Sequence, residues 1–273
     1  MENGNKIFKK NKYELEYKVF GDGDKKMIVF HGFGQSNDIA KLMEVMYKDY
    51  TILSVNLFYH NSSFDYNDKL QLDPISVKHF VELHDSLIHF VFGNVGEISV
   101  LGYSIGGRLG SVFVENTLLN IEEFFLIAPD GFQFSFFYWF VTYTRIGMFM
   151  YYKTMRHIYG FKNVISFFKK IGIIPSNMYK FLIISIGLKR NRVLAPKVWQ
   201  VYKRLIIDKY KLSSKLHEDA SKTYVYLGIY DPVIKFKRVK KNLIDLNASV
   251  IGLKKGHSIL SENFFQKTFK KVL

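Results

Sequence analysis

The stretch LGYSIGGRLGS, residues 101–111, decides how the chain is read. It contains Gly-x-Ser-x-Gly at Gly102, Ser104 and Gly106, directly after an apolar run, EISV, that has the character of a buried strand. A serine on a sharp strand-to-helix turn would present its hydroxyl above a sheet, whereas a serine in an ordinary glycine-rich loop would do nothing chemical. The pattern arises by chance in roughly one chain in ten of this length, so its meaning depends on what surrounds it.

Outward from this stretch, the first 130 residues alternate strand and helix signals. Residues 13–19 alternate weakly, like an edge strand; KKMIVF (25–30) is a short apolar run that ends in HGFGQS; residues 38–47 are helix-like. YTILSVNL follows as a second buried strand, then a polar loop, then a helix from Pro74 to about residue 92. EISVLGYS makes a third strand, 105–116 a helix and EEFFLIAP a fourth strand. Buried strands separated by helices predict right-handed crossovers and a mostly parallel sheet covered on both faces.

After Asp130 the alternation stops. Residues 132–216 read as helices without clear strands, the better candidates being 163–170, 177–188 and 197–210. Strand patterns resume in KTYVYLGIYD and NASVIGLKKGHS, and an amphipathic helix, 262–273, follows. The expected architecture is α/β: a sheet domain built from 1–131 and 217–273, interrupted by a helical insertion, 132–216.

Composition bounds the chemistry. The 273 residues are 48% hydrophobic, enough for a substantial core, and include no cysteine, which excludes disulfides and thiolate metal sites. No stretch reaches the ~18–20 apolar residues of a membrane span, and the N-terminus has no apolar run of signal-peptide length; a soluble, cytoplasmic protein is expected. The net charge of +15 is unevenly spread. Residues 132–220 hold 16 basic and 3 acidic residues and 20 of the 46 aromatics, against 23 basic and 21 acidic in the rest of the chain.

Four polar features fall at predicted strand ends, where parallel sheets place their ligand sites: His31-Gly32-Phe33-Gly34, Ser104, Asp231 and His257. The last three run in the order Ser, Asp, His. With its Gly-x-Ser-x-Gly turn, the chain here resembles the α/β-hydrolase family, which uses that order. The resemblance covers about 13–130 and 223–273 and fades over the insertion, where family members carry variable caps.

The resemblance implies a catalytic set. A serine hydroxyl is a poor nucleophile at neutral pH without an adjacent base; His257 would take the Ser104 proton and return it to the leaving group, and Asp231 would orient the imidazole and stabilise its charged form. The backbone N–H groups of Ile105 and Phe33 would form the oxyanion hole, and His31 would hold that loop. Asp130, in IAPDG, is the rival acid, since some family members place the acid there; GIYDPVI, about 25 residues before the histidine, matches the commoner position. Many members also carry an Asp and a Gly-His-Gly-x-Ser loop after the second strand, where this chain has Asn56 and NLFYHNSS.

Tyr103, Phe132 and Phe134 are candidate substrate contacts. The aromatic, basic insertion reads either as cap helices packing their aromatics on the sheet domain, or as a lid over Ser104 whose basic face meets anionic substrates or anionic membrane lipid. No cofactor, metal or nucleic-acid ligand is expected: phosphate-loop and dinucleotide motifs are absent, and His79, His84 and His89 lie five apart, a poor spacing for one helical face and more in keeping with a solvated surface. The expected activity is carboxylic ester hydrolysis on a hydrophobic or aromatic acyl group. C–C bond hydrolysis, acyl transfer, or a membrane-docking protein with little turnover remain open.

Overall fold

The computed structural model describes residues 4–60, 73–156, 158–172, 176, 179, 180, 183, 184 and 188–269. The described residues contain an eight-stranded sheet of order β1-β2-β4-β3-β5-β6-β7-β8. Its strands are β1 (Lys6–Lys10), β2 (Tyr13–Phe20), β3 (Lys25–Phe30), β4 (Tyr50–Val55), β5 (Glu97–Tyr103), β6 (Asn120–Ile127), β7 (Lys222–Gly228) and β8 (Ser249–Leu253). From β4 across to β8 every pairing is parallel; β1 and β2 are added antiparallel at one edge. The central strands are apolar throughout because both faces are covered: Met27, Ile28, Val29 and Phe30 of β3 have no exposed surface.

The weak alternation of 13–19 reads as an edge strand, yet β1 lies outside it. A tight turn at Asn11, whose φ is +55°, folds Lys6–Lys10 back on Tyr13. Lysines at 6, 9 and 10 leave only two apolar residues in β1, too few to signal a strand, but they suit an exposed sheet edge by discouraging further pairing.

Helices cover the sheet. A 3₁₀ segment, Asn37–Met46, follows β3. α1 (Val77–Phe92) starts after Pro74 rather than at it, because the Ser76 hydroxyl caps the His79 N–H. α2 (Ile105–Val114) is buried at every position. The expected helix over 177–188 lies mostly outside the described residues, as do residues 61–72 and 270–273 at the second-strand loop and the terminal helix.

The chain forms two compact units. One holds the sheet. The other comprises 134–203, with α3 (Phe136–Tyr143), α4 (Arg145–Arg156), α5 (Ile158–Lys170) and α6 (Lys189–Val201). The insertion is therefore shorter than the expected 132–216. Residues 204–216 belong to the sheet unit because Leu205, Leu212 and Leu216 are buried and the Asp208 N–H donates to Glu115 at the end of α2, 2.9 Å. Asp208 also divides the helix expected over 197–210, since its carboxylate caps the N–H groups of Tyr210 and Lys211 and starts α7 (Lys209–Glu218) afresh. α8 (Phe236–Asn242) follows β7. No helix among the described residues is long and apolar enough to cross a membrane.

Three buried titratable groups set the acid response. His84, expected on a solvated surface, lies in the core against Phe30 and Phe80, and burial pulls its pKa down to about 4. His31 is pulled to about 3, first by burial and then by His60. Both refuse a proton in the fold that the unfolded chain accepts below pH 6.5, so stability falls as pH drops below that value, by about 2 kcal/mol each at pH 5. Glu115 acts in the opposite sense. Burial raises its pKa from 4.5 to about 7, so it holds a proton in the fold that the unfolded chain releases, and acidification returns about 2 kcal/mol. Net stability should drop by about 2 kcal/mol from pH 7 to pH 5, and by about 4 kcal/mol in Glu115→Gln. Urea unfolding of both proteins at the two pH values checks this; a wild type that gains stability toward pH 5 would contradict the neutral histidines.

Candidate active site

The turn from β5 into α2 requires glycine on both sides of Ser104. A Cβ on Gly106 would sit 2.1 Å from the Phe30 carbonyl oxygen, and one on Gly102 would sit 2.5 Å from the Gly106 carbonyl oxygen. With those positions bare, α2 backs directly onto β3 and β5. Ser104 itself has φ +53° and ψ −118°, a strained conformation for a residue with a side chain. Neighbouring backbone holds it there: the Ser104 N–H donates to Ile127 of β6, and its carbonyl accepts from Gly107 and Asp130, at 2.9–3.0 Å.

Three side chains expected to act together meet in the sheet unit, each just beyond a strand end. Ser104 Oγ is 3.0 Å from His257 Nε2, and His257 Nδ1 is 2.7 Å from Asp231 Oδ2. The other Asp231 oxygen accepts from the N–H groups of Val233 and Ile234, 2.8 and 2.9 Å; Pro232 has no N–H to compete. The Asp231 side chain has no exposed surface and the imidazole is 16% exposed. A fixed carboxylate at Nδ1 makes that nitrogen the donor and leaves Nε2 to accept from the serine. Asp130 lies elsewhere: its N–H holds the Ser104 carbonyl, and its carboxylate is 3.6 Å from Arg108 Nε.

Tyr103 is turned toward His257. Its hydroxyl donates to the His257 carbonyl, 3.1 Å, and its ring stacks on the imidazole at 5.8 Å and 27°. Burial, with Asp231 adding to it, pushes the phenol up to about 12 and keeps it neutral. The same ring lies against Gly32, where a Cβ would come within 2.7 Å of it, so one side chain touches both the histidine and the loop after β3. Of the other two expected substrate contacts, Phe132 is buried at 1% exposure with its carbonyl held by Asn242, while Phe134, in the helical unit, is 71% exposed.

Two histidines brace the loop after β3. The His31 Nδ1–H donates to the Gly32 carbonyl, 2.7 Å, while its Nε2 accepts from the Leu57 N–H, 3.1 Å. His60 repeats the scheme, donating from Nδ1 to the Phe58 carbonyl and accepting at Nε2 from the Gly34 N–H, 3.0 Å. The rings meet edge-on at 5.0 Å, and His60 also meets the Phe33 ring at 5.8 Å. Behind them Asn56 accepts from the Asn37 N–H and donates to Glu16, both 2.6 Å. The N–H groups on either side of Phe33 are thus committed, Gly32 to the Gln35 side chain and Gly34 to His60. The Ile105 N–H opens α2 and is one of the first-turn donors that a helix cannot satisfy itself. The bracing role of His60 was not legible in NLFYHNSS, where it reads as an edge-shaping loop residue. Among the described residues no cluster of three metal-ligating side chains occurs.

No protein-family profile matches the sequence, and no curated protein resembles it at a meaningful level. Solved structures do resemble the fold. An α/β-hydrolase enzyme from a deep-sea metagenome superposes with a TM-score of 0.63 at 14% identity, covering 97% of this chain and 94% of that one. A thermophilic esterase from Thermogutta terrifontis gives 0.61 at 13%, covering 99% and 95%. An esterase from Exiguobacterium antarcticum gives 0.59 at 14%, covering 95% of each chain. Identities this low speak to architecture alone, and the architecture of this chain, a mostly parallel eight-stranded sheet flanked by helices, is that of the α/β-hydrolases.

Proposed function

We propose that the protein is a serine hydrolase that cleaves carboxylic esters through an acyl-enzyme. The observation that carries this reading is the unbroken contact from Ser104 Oγ to His257 Nε2 and from Nδ1 to the buried Asp231, at 3.0 and 2.7 Å. Ser104 Oγ attacks the ester carbonyl carbon as its proton passes to His257 Nε2. The tetrahedral intermediate then collapses, the C–O bond to the alcohol breaks, and the alcohol leaves with the His257 proton. Water repeats the sequence on the acyl-enzyme and frees the acid and Ser104. The oxyanion is stabilised by the N–H groups of Ile105 and Phe33, each worth about 3–4 kcal/mol, and the helix N-terminus at Ile105 adds to the field there. The positive φ of Ser104 is the strain such a turn carries, and the names borne by the structural neighbours above, esterases among them, fit the same chemistry.

The acyl group on this reading is apolar or aromatic, in keeping with the phenylalanine-, tyrosine- and tryptophan-rich sequence that follows β6. Tyr103 is a positioning residue for His257 rather than a wall of the pocket. A fluorophosphonate probe tests the reading. It should attach once per chain, to Ser104, and Ser104→Ala should take up none; labelling that survives the substitution would overturn it. A series of p-nitrophenyl esters then ranks the acyl chains.

A further inference from the structure

The stretch 134–203 holds 12 lysines and arginines and no aspartate or glutamate; at the chain's own average roughly six acidic residues would fall there. The remainder of the chain holds 27 basic and 24 acidic residues.

Its apolar residues divide into two sets. One packs inside the unit: Trp199 meets the rings of Tyr138 and Tyr151 at 5.8 Å, and Val141 and Thr142 are buried. The α3–α4 hairpin is tight, since a Cβ on Gly147 would lie 2.2 Å from the Phe140 carbonyl. The other set faces outward. Phe136 and Phe137 are 66% and 57% exposed on α3, and Ile146, Phe149 and Met150 are 68%, 67% and 52% exposed on α4. Helical spacing puts Ile146, Phe149, Met150 and Lys153 on one face. Exposed Lys169 and Lys170 close α5 beside exposed Phe167. Phe137 meets the Trp199 ring at 6.4 Å and Phe136 stacks on Phe140 at 6.0 Å, yet more than half of each side chain in this second set stays exposed, and isolated soluble surfaces rarely gather so many large apolar side chains.

We propose that this surface of the helical unit docks on a bilayer of anionic phospholipid. Rings and aliphatic chains enter the boundary between headgroups and acyl chains while lysines and arginines remain at the phosphates. The aliphatic members decide for lipid over nucleic acid: Ile146 and Met150 have no π-face for a base to stack on. The docking does not depend on the chemistry at Ser104.

Sedimentation with vesicles tests it, using full-length Ser104→Ala so that no lipid is turned over. At about 0.1 M salt, binding to phosphatidylcholine vesicles containing about 30 mol % phosphatidylglycerol should be at least tenfold tighter than to pure phosphatidylcholine, and about 1 M salt should remove the difference. Each basic side chain at such a surface multiplies partitioning about fivefold, so Lys153→Glu/Lys169→Glu/Lys170→Glu should weaken binding roughly 100-fold. Phe137→Ser/Phe149→Ser should weaken it about tenfold by removing inserted rings. Thermal melting of both variants should match the parent protein, and the salt and lipid comparison on the parent stands alone if a variant misfolds. Equal binding to both vesicle types, binding to neither, or tighter binding to a short RNA than to the anionic vesicles would each overturn the proposal. Failure of Ser104 to take up fluorophosphonate would leave it standing.

Discussion

Ester turnover by Ser104→Ala should fall about 10⁶-fold in kcat, with KM nearly unchanged. The hydroxyl enters the reaction only as the attacking oxygen, and without it His257 has no proton to accept, so histidine and aspartate become idle together. Alanine adds no new strain, since the positive φ at position 104 burdens alanine and serine alike. The backbone donors and binding contacts persist, so a small residual rate over water remains. Steady-state kinetics with a p-nitrophenyl ester, alongside circular dichroism, measures this. A loss smaller than about 100-fold would mean that another group attacks the ester.

Asp231→Asn should lower kcat about 10⁴-fold. Oδ1 of Asp231 is committed to the N–H groups of Val233 and Ile234. An asparagine must keep its carbonyl oxygen there, because its amide nitrogen could only donate. The NH₂ group is then forced toward His257 Nδ1, which must accept, and the ring proton moves to Nε2, where it faces Ser104 and cannot serve as base. The loss is one of tautomer rather than of shape, so thermal stability should change little. The matched control is Asp130→Asn, whose carboxylate lies beside Arg108. If Asp130→Asn were crippled and Asp231→Asn retained activity within about tenfold, the acid would have been misassigned.

Much of this arrangement is legible in the sequence because strand ends are. KKMIVF, EISVLGY and TYVYLG end in apolar runs with a polar residue within three positions of the end, and a parallel sheet brings such ends to one edge. That puts Ser104, Asp231 and His257 within reach without reference to any side-chain direction. What spacing does not carry is direction. Tyr103 could have lined a pocket or turned back on the imidazole, and it turns back. His84 reads as solvated on a five-residue spacing, yet Phe30 and Phe80 enclose it. His60 sits in a loop without the expected glycines, and its brace exists only because β3 and β4 are neighbours, which brings Gly34 and His60 together across 26 residues of sequence. The loss of alternation sets an expected insertion of 132–216, whereas the compact helical unit ends at Lys203: Leu205, Leu212 and Leu216 repeat like the helices before them and belong to the sheet unit.

The parallel pairing of β6 with β7 spans the whole helical insertion, and this orders events during synthesis. Ser104 and the loop that carries Phe33 emerge early, whereas Asp231 and His257 leave the ribosome only after every residue of the insertion. At roughly 5–20 residues per second, a nascent chain spends several seconds with a complete nucleophile turn but no base. Closing so long a connection also makes β7 docking a late step, because non-local pairing must first overcome loop entropy. On the proposed function the emerging chain is therefore silent until its sheet is finished, and any aromatic surface of the insertion is offered to the cell before the chemistry is.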